Sequence, residues 1–351
     1  MTHGGDESER NSKRLKTAAP DLFGRLQEEG RRSGKGFEQL GEAARLPKIT
    51  PVKKRLIDAS LAILEGRSGE LTYQHTVLCQ TGLPYRDQKG VRVWELEQGA
   101  SSLRIEAGAA RSPETRKFVE LPLPFGPKAR LVLMHLNAEA IRAQSPVVEV
   151  ESSMTAFVKR LMNGRPPAGP DINAFKKQLS ALSAATIRLA VDYADRSEQV
   201  NTQIVGAFDL WFPKDERQRV LWPSTVRLSA DYYNSLALHA VPLDERAIAA
   251  LAHNAMALDA YCWLAQRLHR VPERKQQFIP WPALHAQFGQ GYSQLRDFRR
   301  VFLNTLRLVN RAYPAARFDA GPKGMTLWNS PPPVKKRLVA LPCPDVIEHE
   351  P

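Results

Sequence analysis

The chain has 351 residues, 43% of them apolar, and fifty Lys and Arg against thirty-seven Asp and Glu give a formal net charge of +13. That length suits two folded units plus tails, and the charge favours a polyanionic partner, nucleic acid first and an anionic membrane surface second. Cys79, Cys262 and Cys343 stand too far apart for a CxxC pair, which argues against a disulfide framework or a zinc ribbon. The start, MTHGGDESERNSKRLK, has no apolar core of a secretory signal, and the most apolar stretch, Ala247 to Leu268, is interrupted by His253, Asn254, Asp259 and Gln266. A cytoplasmic protein without a membrane segment is expected.

Residues 1–48 mix both charges with Gly and Ser and read as a disordered arm, with a transient helix near Leu22 to Glu29. Pro51 to Glu65 is patterned as an amphipathic helix. Val91 to Glu97 and Leu103 to Ala107 read as a hairpin extending the first sheet. A helix is expected over Gly126 to Gln144, then the β-branched run Pro146 to Val150. A helix capped by Ser152 or Ser153 follows, and beyond the breaker Gly164 to Pro170 comes a helix N-capped by Asp171. At Thr186 the period changes to two, and a hairpin over Ile187 to Phe208 with a turn at Asp195 to Gln199 closes the unit.

The same plan recurs after Val241-Pro242-Leu243. A long helix from Asp244 to Leu268 precedes a strand at Gln277 to Ile279. A helix from Trp281 to Gly289, a helix from Ser293 to Ala312 and a hairpin, Ala316 to Asp319 with Met325 to Trp328 around Gly321-Pro322-Lys323-Gly324, complete it. Helix, strand, helix, helix, strand, strand is the order of a winged helix. The expected fold is therefore α+β with tandem winged-helix domains: 49–240 with an N-terminal extension, 241–329, and a tail over 330–351 that opens on Pro331-Pro332-Pro333. Arg217 to Leu228 and Ser229 to His239 are expected to bridge the two units.

Nearly half of the charge surplus falls in 244–329, with twelve bases against six acids. On the helix from Ser293, residues Leu295, Phe298, Val301, Phe302, Thr305, Leu306, Leu308 and Val309 form one broad face. Arg296, Arg299, Arg300, Asn304, Arg307 and Arg311 gather opposite. As the third helix of its unit this segment is the one a winged helix lays in the major groove, where Arg and Asn read base edges and later Arg residues meet phosphate. The matching helix of the first unit buries Phe175, Leu179 and Leu182 and is expected to expose Asn173, Lys176, Lys177, Ser180 and Ser183, either as base and phosphate contacts or as an ordinary solvated face. Arg188, Arg196 and Lys323, on strand and wings, are placed for backbone or minor-groove contact.

Catalytic alternatives fail on spacing. Gly30 to Gly36 has too few residues between its glycines for a phosphate loop. Tyr232 and Tyr233 lack the His-hydrophobe-His pair of a nicking enzyme, and His135 with Glu139 lacks a third metal ligand. No enzyme activity, cofactor or metal is expected.

LPFGPKARLVLMHLNAEA (Leu123 to Ala140), QLSALSAATIRLA (Gln178 to Ala190), FDLWFPKDERQRVLWPSTVRLSADYY (Phe208 to Tyr233), FIPWPALHAQFG (Phe278 to Gly289) and RDFRRVFLNTLRLVN (Arg296 to Asn310) resemble the RepA C-terminal family of plasmid replication initiators. The resemblance spans roughly residues 70–334. It implies an initiator that binds repeated sites in double-stranded plasmid origin DNA, promotes opening and recruits host replication initiator and helicase proteins, as monomer or homodimer. A winged-helix transcriptional repressor, autoregulatory or not, is the alternative.

Overall fold

Chain direction is set early by Pro51, whose fixed φ opens a helix at the point where apolar residues begin to recur every three or four positions. A computed structural model describes residues 50–65, 69–112, 115–151, 153–192, 197–207 and 225–334. The expected arm 1–48, the Tyr193 to Arg196 part of the first hairpin with the start of its turn, Phe208, Arg217 to Pro223 and the Lys335-Lys336-Arg337 cluster lie outside the described residues.

The elements are α1 (Pro51–Leu64), β1 (Leu71–His75), α2 (Thr76–Gln80), β2 (Val93–Gln98), β3 (Ser101–Glu106), β4 (Ala109–Arg111), β5 (Phe118–Glu120), α3 (Gly126–Ala143), β6 (Val147–Glu149), α4 (Met154–Leu161), α5 (Gly169–Ala184), β7 (Thr186–Asp192), β8 (Ser197–Gln203), β9 (Val205–Ala207) and β10 (Thr225–Leu228). They continue with α6 (Ala230–His239), β11 (Ala240–Asp244), α7 (Glu245–Leu251), α8 (Ala255–Arg267), β12 (Gln276–Pro280), α9 (Trp281–Phe288), α10 (Leu295–Ala312), β13 (Phe318–Ala320) and β14 (Gly324–Trp328). The fold is α+β, built from several small antiparallel sheets among helices.

In the later half the expected order is present: α8, β12, α9, α10, β13, β14, with a sheet in the order β12-β14-β13. The expected long helix breaks in two at residues 252–254. Asn254 takes extended dihedrals there, and its side chain accepts the Ala257 N–H at 3.1 Å, an N-cap that restarts the helix as α8.

In the earlier half one pairing follows expectation and one does not. The β2–β3 hairpin extends the sheet of β7 and β8, as expected, but the hairpin β7–β8 does not join β6. It continues the β2–β3 hairpin into a four-stranded sheet, β2-β3-β7-β8, whose register rows place Leu96, Leu103, Leu189 and Val200 together and Trp94, Ile105, Ile187 and Thr202 together. Leu103, Ile105, Ile187 and Leu189 are buried, so matched apolar rows select this pairing. β6 instead pairs β10, with buried Val148 opposite buried Val226, and β9 flanks β10 on its other edge. Residues expected to bridge the two units thus complete the first unit's own small sheet.

Of the two expected caps one is present and one differs. Ser153 caps α4, its Oγ accepting the Ala156 N–H at 3.2 Å. α5 begins two residues earlier than expected, at Gly169-Pro170. Asp171 sits inside the first turn and its carboxylate accepts the Ala168 N–H at 3.4 Å, so Ala168 holds the N-cap position.

One buried apolar cluster runs through both halves, from Leu56 to Leu327. At its centre, α3 and α8 are joined by an ion pair. Arg130, 1% exposed, donates to both carboxylate oxygens of Asp259 at 2.6 and 2.7 Å, and also to the carbonyls of Leu83 (2.6 Å), Gly126 (2.9 Å) and Pro84 (3.3 Å). The fork is satisfied in the plane where the protein provides acceptors. A Cβ at Gly82 would come within 2.8 Å of the Asp259 carboxylate, so no larger residue fits there without displacing the pair. β1 pairs β11 across the same region, Leu71 opposite Asp244 through His75 opposite Ala240.

Candidate nucleic-acid interface

Among the described helices α10 has the sharpest division of polar and apolar faces. Phe298, Phe302, Thr305, Leu306, Val309 and Ala312 are buried. Phe302 stacks on Phe298 and on Phe288 of α9, each with centroids 5.1 Å apart, while Trp281 meets Phe298 and Phe302 edge-on at 6.5 and 6.4 Å. This aromatic set fixes α10 against α9. The turn between them is held by His285, whose ring lies 2.7 Å from the Tyr292 carbonyl, and by Gln290, which accepts the Tyr85 N–H at 3.0 Å. The turn is therefore tied to the same 83–85 segment that receives Arg130.

Arg296, Arg300, Asn304, Arg307 and Arg311 are all exposed. Spaced four, four, three and four apart, they fall within roughly 80° of arc and along about 22 Å of helix. Arg307 donates to the Asn304 side-chain oxygen at 2.7 Å. Asp297 lies 3.7 Å from Arg300, whose side chain remains 75% exposed. Such a stripe matches the length of a groove and the spacing of phosphates, and its guanidinium forks suit phosphate and guanine edges.

Arg299 does not join that stripe. It is half-buried, lies over the Trp281 ring at 5.2 Å and donates to the Gly321 carbonyl at 3.5 Å. A guanidinium over an indole face is attracted by the ring quadrupole, and here it draws α10 to the turn of the β13–β14 hairpin. Trp281 completes the clamp: its ring N–H donates to the Gly321 carbonyl at 3.1 Å and its backbone N–H to the Lys323 carbonyl at 3.3 Å. Lys323 is exposed at that turn. Gly324 is required next to it, because a Cβ would meet the Ile279 carbonyl oxygen. Sequence alone marked the turn but gave no sign that Trp281 and Arg299 set its position.

The expected site residues of the first half are arranged differently. Asn173 is exposed on α5. Lys177 is exposed too, yet it pairs with Asp87 at 2.9 Å and lies over the Phe125 ring at 5.2 Å. Lys176 is half-buried. Ser180, expected at the surface, is 8% exposed, and its carbonyl accepts the half-buried Ser183 hydroxyl at 2.9 Å. On the other side of the helix Gln178 accepts the Phe125 N–H at 2.7 Å. Arg188 is bound into a charge ladder on the four-stranded sheet. It pairs with Glu106, which also takes Arg104 at 2.7 Å, and Arg104 pairs with Glu95. Arg104 and then Arg188 hold the Glu106 carboxyl below the usual carboxylate range. Arg196 lies outside the described residues.

Among the described residues no three His, Cys, Asp or Glu side chains converge as a metal site, and no helix is long and apolar enough to cross a membrane. Tyr232 is buried with its hydroxyl donating to Asn137 at 2.9 Å, which places it in the core.

Residues 123–282 match a family described as plasmid encoded RepA protein. Nothing among curated proteins matches the chain. Two crystal structures of RctB domains 2 and 3 are similar in fold. One has 9% identity and a TM-score of 0.44, covering 72% of this chain and 94% of that one. The other, a selenomethionine derivative, has 8% identity and a TM-score of 0.45, covering 72% and 96%.

Proposed function

We propose that this chain, whose residues 123–282 match the family described as plasmid encoded RepA protein, is a replication initiator that binds double-stranded origin DNA through α10. The observation that carries the DNA contact is the exposed stripe Arg296, Arg300, Asn304, Arg307 and Arg311, which lies beyond the matched segment and argues independently of it. In this reading α9, α10 and the β13–β14 hairpin act as a winged helix-turn-helix with Lys323 at the wing, and residues 241–329 form the principal reading unit. Residues 49–240 form the second winged-helix unit, with Asn173 and Lys176 as its candidate contacts. Origin opening, recruitment of host initiator and helicase proteins and homodimerisation are further steps of the same reading. The protein acts without catalysis.

The experiment is footprinting of the purified protein on DNA flanking its own coding sequence, followed by titration of the protected fragment with the Arg296→Ala, Arg300→Ala double variant. Each Arg that meets a base edge contributes about 1–3 kcal/mol. A folded double variant that binds the protected site as tightly as the parent sinks the assignment of α10. Maintenance of a minimal origin plasmid supplied with the protein in trans separates an initiator from a repressor.

A further inference from the structure

The β4–β5 hairpin stands at the surface, with β4 passing α5 and β5 exposed. Its strands pair only with each other, Ala109 opposite Glu120 through Arg111 opposite Phe118. Phe118 is 76% exposed and Val119 48%. Arg111, Arg116 and Lys117 are exposed on the same hairpin, and among the described residues none of the three has an ion-pair partner. An isolated two-stranded ribbon is marginal in water, so its persistence calls for an anchor.

The anchor is at its root. Arg92 donates to the carbonyls of Ala107 (2.7 Å), Leu121 (2.8 Å) and Gly108 (3.2 Å) and pairs with Glu120 at 2.9 Å. A Cβ at Gly108 would run into the Ala184 carbonyl oxygen, so the root sits directly against the C-terminal end of α5. The hairpin is thus aimed by its base while β5 stays in solvent, presenting an aromatic ring beside three cations that have no ion-pair partner among the described residues.

We propose that the β4–β5 hairpin is a second nucleic-acid contact, specific for single-stranded DNA, in which Phe118 stacks on an unpaired base and Arg111, Arg116 and Lys117 hold neighbouring phosphates. The cations select a polyanion. An intact duplex keeps its bases stacked on one another and offers this ring no face, whereas every unpaired base does. The inference shares with the proposed function only the class of polymer and uses no residue of α10.

The test is fluorescence anisotropy of the full chain with a labelled single strand of about fifteen nucleotides, the upper range of site sizes for such grooves, and in parallel with the protected duplex. Phe118→Ala should weaken single-strand binding roughly tenfold and leave duplex binding unchanged, while Phe118→Tyr, which keeps a stacking face, retains it. The Arg111→Ala, Arg116→Ala, Lys117→Ala variant should weaken single-strand binding and flatten its salt dependence. The Arg296→Ala, Arg300→Ala variant should lose duplex binding alone. Single-strand binding unaffected by Phe118→Ala and by the triple change overturns the proposal, as does a parent protein that binds duplex and ignores single strands. Equal loss on both DNAs assigns the hairpin to duplex and overturns the single-strand role. Capture of an acidic peptide in place of DNA overturns it as well. Failure of duplex binding in the parent overturns the α10 reading and leaves the hairpin's result standing. Thermal melting of Phe118→Ala and Phe118→Tyr checks that both fold.

Discussion

α5 and α10 occupy equivalent places in the two halves of the chain, each the second helix of a pair following a short strand, and they present opposite surfaces. On α10 four Arg side chains and Asn304 line up in solvent with one neighbouring acid, Asp297. On α5 Lys177 is matched to Asp87 and Ser180 is covered, while nearby Arg188 is matched to Glu106. The number of cations in a segment therefore says less than whether the fold has already supplied their anions. A paired surface cation must leave its partner before it meets a phosphate, and an unpaired one need not.

The largest effect is expected where the two halves are joined. Asp259→Ala leaves the Arg130 guanidinium buried without its carboxylate, and breaking a buried pair from one side costs about 3–5 kcal/mol. Urea denaturation should show that loss, and a variant as stable as the parent would mean that the two helices are not held together by this pair. Next comes the contrast between the faces. If α10 carries the duplex, Lys177→Ala should change binding by no more than about 0.5 kcal/mol, well below the loss from either Arg296→Ala or Arg300→Ala in the same titration. A comparable loss from Lys177 would erase the distinction.

A sharper version removes the anion. Asp87→Ala frees Lys177 and should steepen the slope of log binding against log salt by about one unit if Lys177 then reaches a phosphate. An unchanged slope would show that α5 faces away from the duplex.

Acid tests the halves in another way. The His75 Nδ1 accepts the Val77 N–H at 3.2 Å, capping α2, and its Nε2 lies 3.0 Å from the Ser235 hydroxyl. Burial, with the neighbouring His239, lowers its pKa from 6.5 to about 3. Burial likewise lowers His135 from 6.5 to about 4 against the pull of Glu139, with Arg160 and Arg142 adding to the fall and Glu151 also facing its ring. Both groups are depressed, so the unfolded chain binds protons that the folded one refuses. Stability should be intact above pH 6.5 and fall toward pH 4 by up to about 1.4 kcal/mol per pH unit for each histidine. Both belong to the first half. His75→Gln, which keeps an acceptor for the cap, should flatten the pH dependence of the denaturation midpoint, and a variant with the same slope as the parent would locate the acid sensitivity elsewhere.

α10 was legible in the sequence because its two faces are written in adjacent residues at a fixed period, which any helix of that register must express. The extension of the β7–β8 hairpin by β2 and β3 was legible too, but the pairing of β6 was not. Alternation identifies β6, β7 and β8 as strands, but nothing in Val147 to Glu149 announces Thr225 to Arg227 as its partner across an interval of some eighty residues. Ser180 was misplaced for a related reason: it lies on the polar side of its own helix, and only the tertiary packing covers it. Arg299 shares residue type and neighbourhood with the stripe, and its separate role depends on an indole eighteen positions earlier. Arg130 and Asp259 stand 129 residues apart, one ordinary cation and one ordinary acid until the core encloses them.

The ladder between β1 and β11 bears on how the chain can be cut. A fragment ending at residue 240 would leave Leu71 to Gln74 without their hydrogen-bonding edge, and one starting at 241 would leave Val241 to Asp244 without theirs. That ladder closes across a long interval of chain, so it forms late relative to local helices and slows acquisition of the whole fold. Either half made alone would expose a bare strand edge open to pairing with other copies. Soluble, faithful pieces of this protein therefore have to be made by keeping residues 71–75 and 240–244 together, even where only the Arg-bearing helix is wanted.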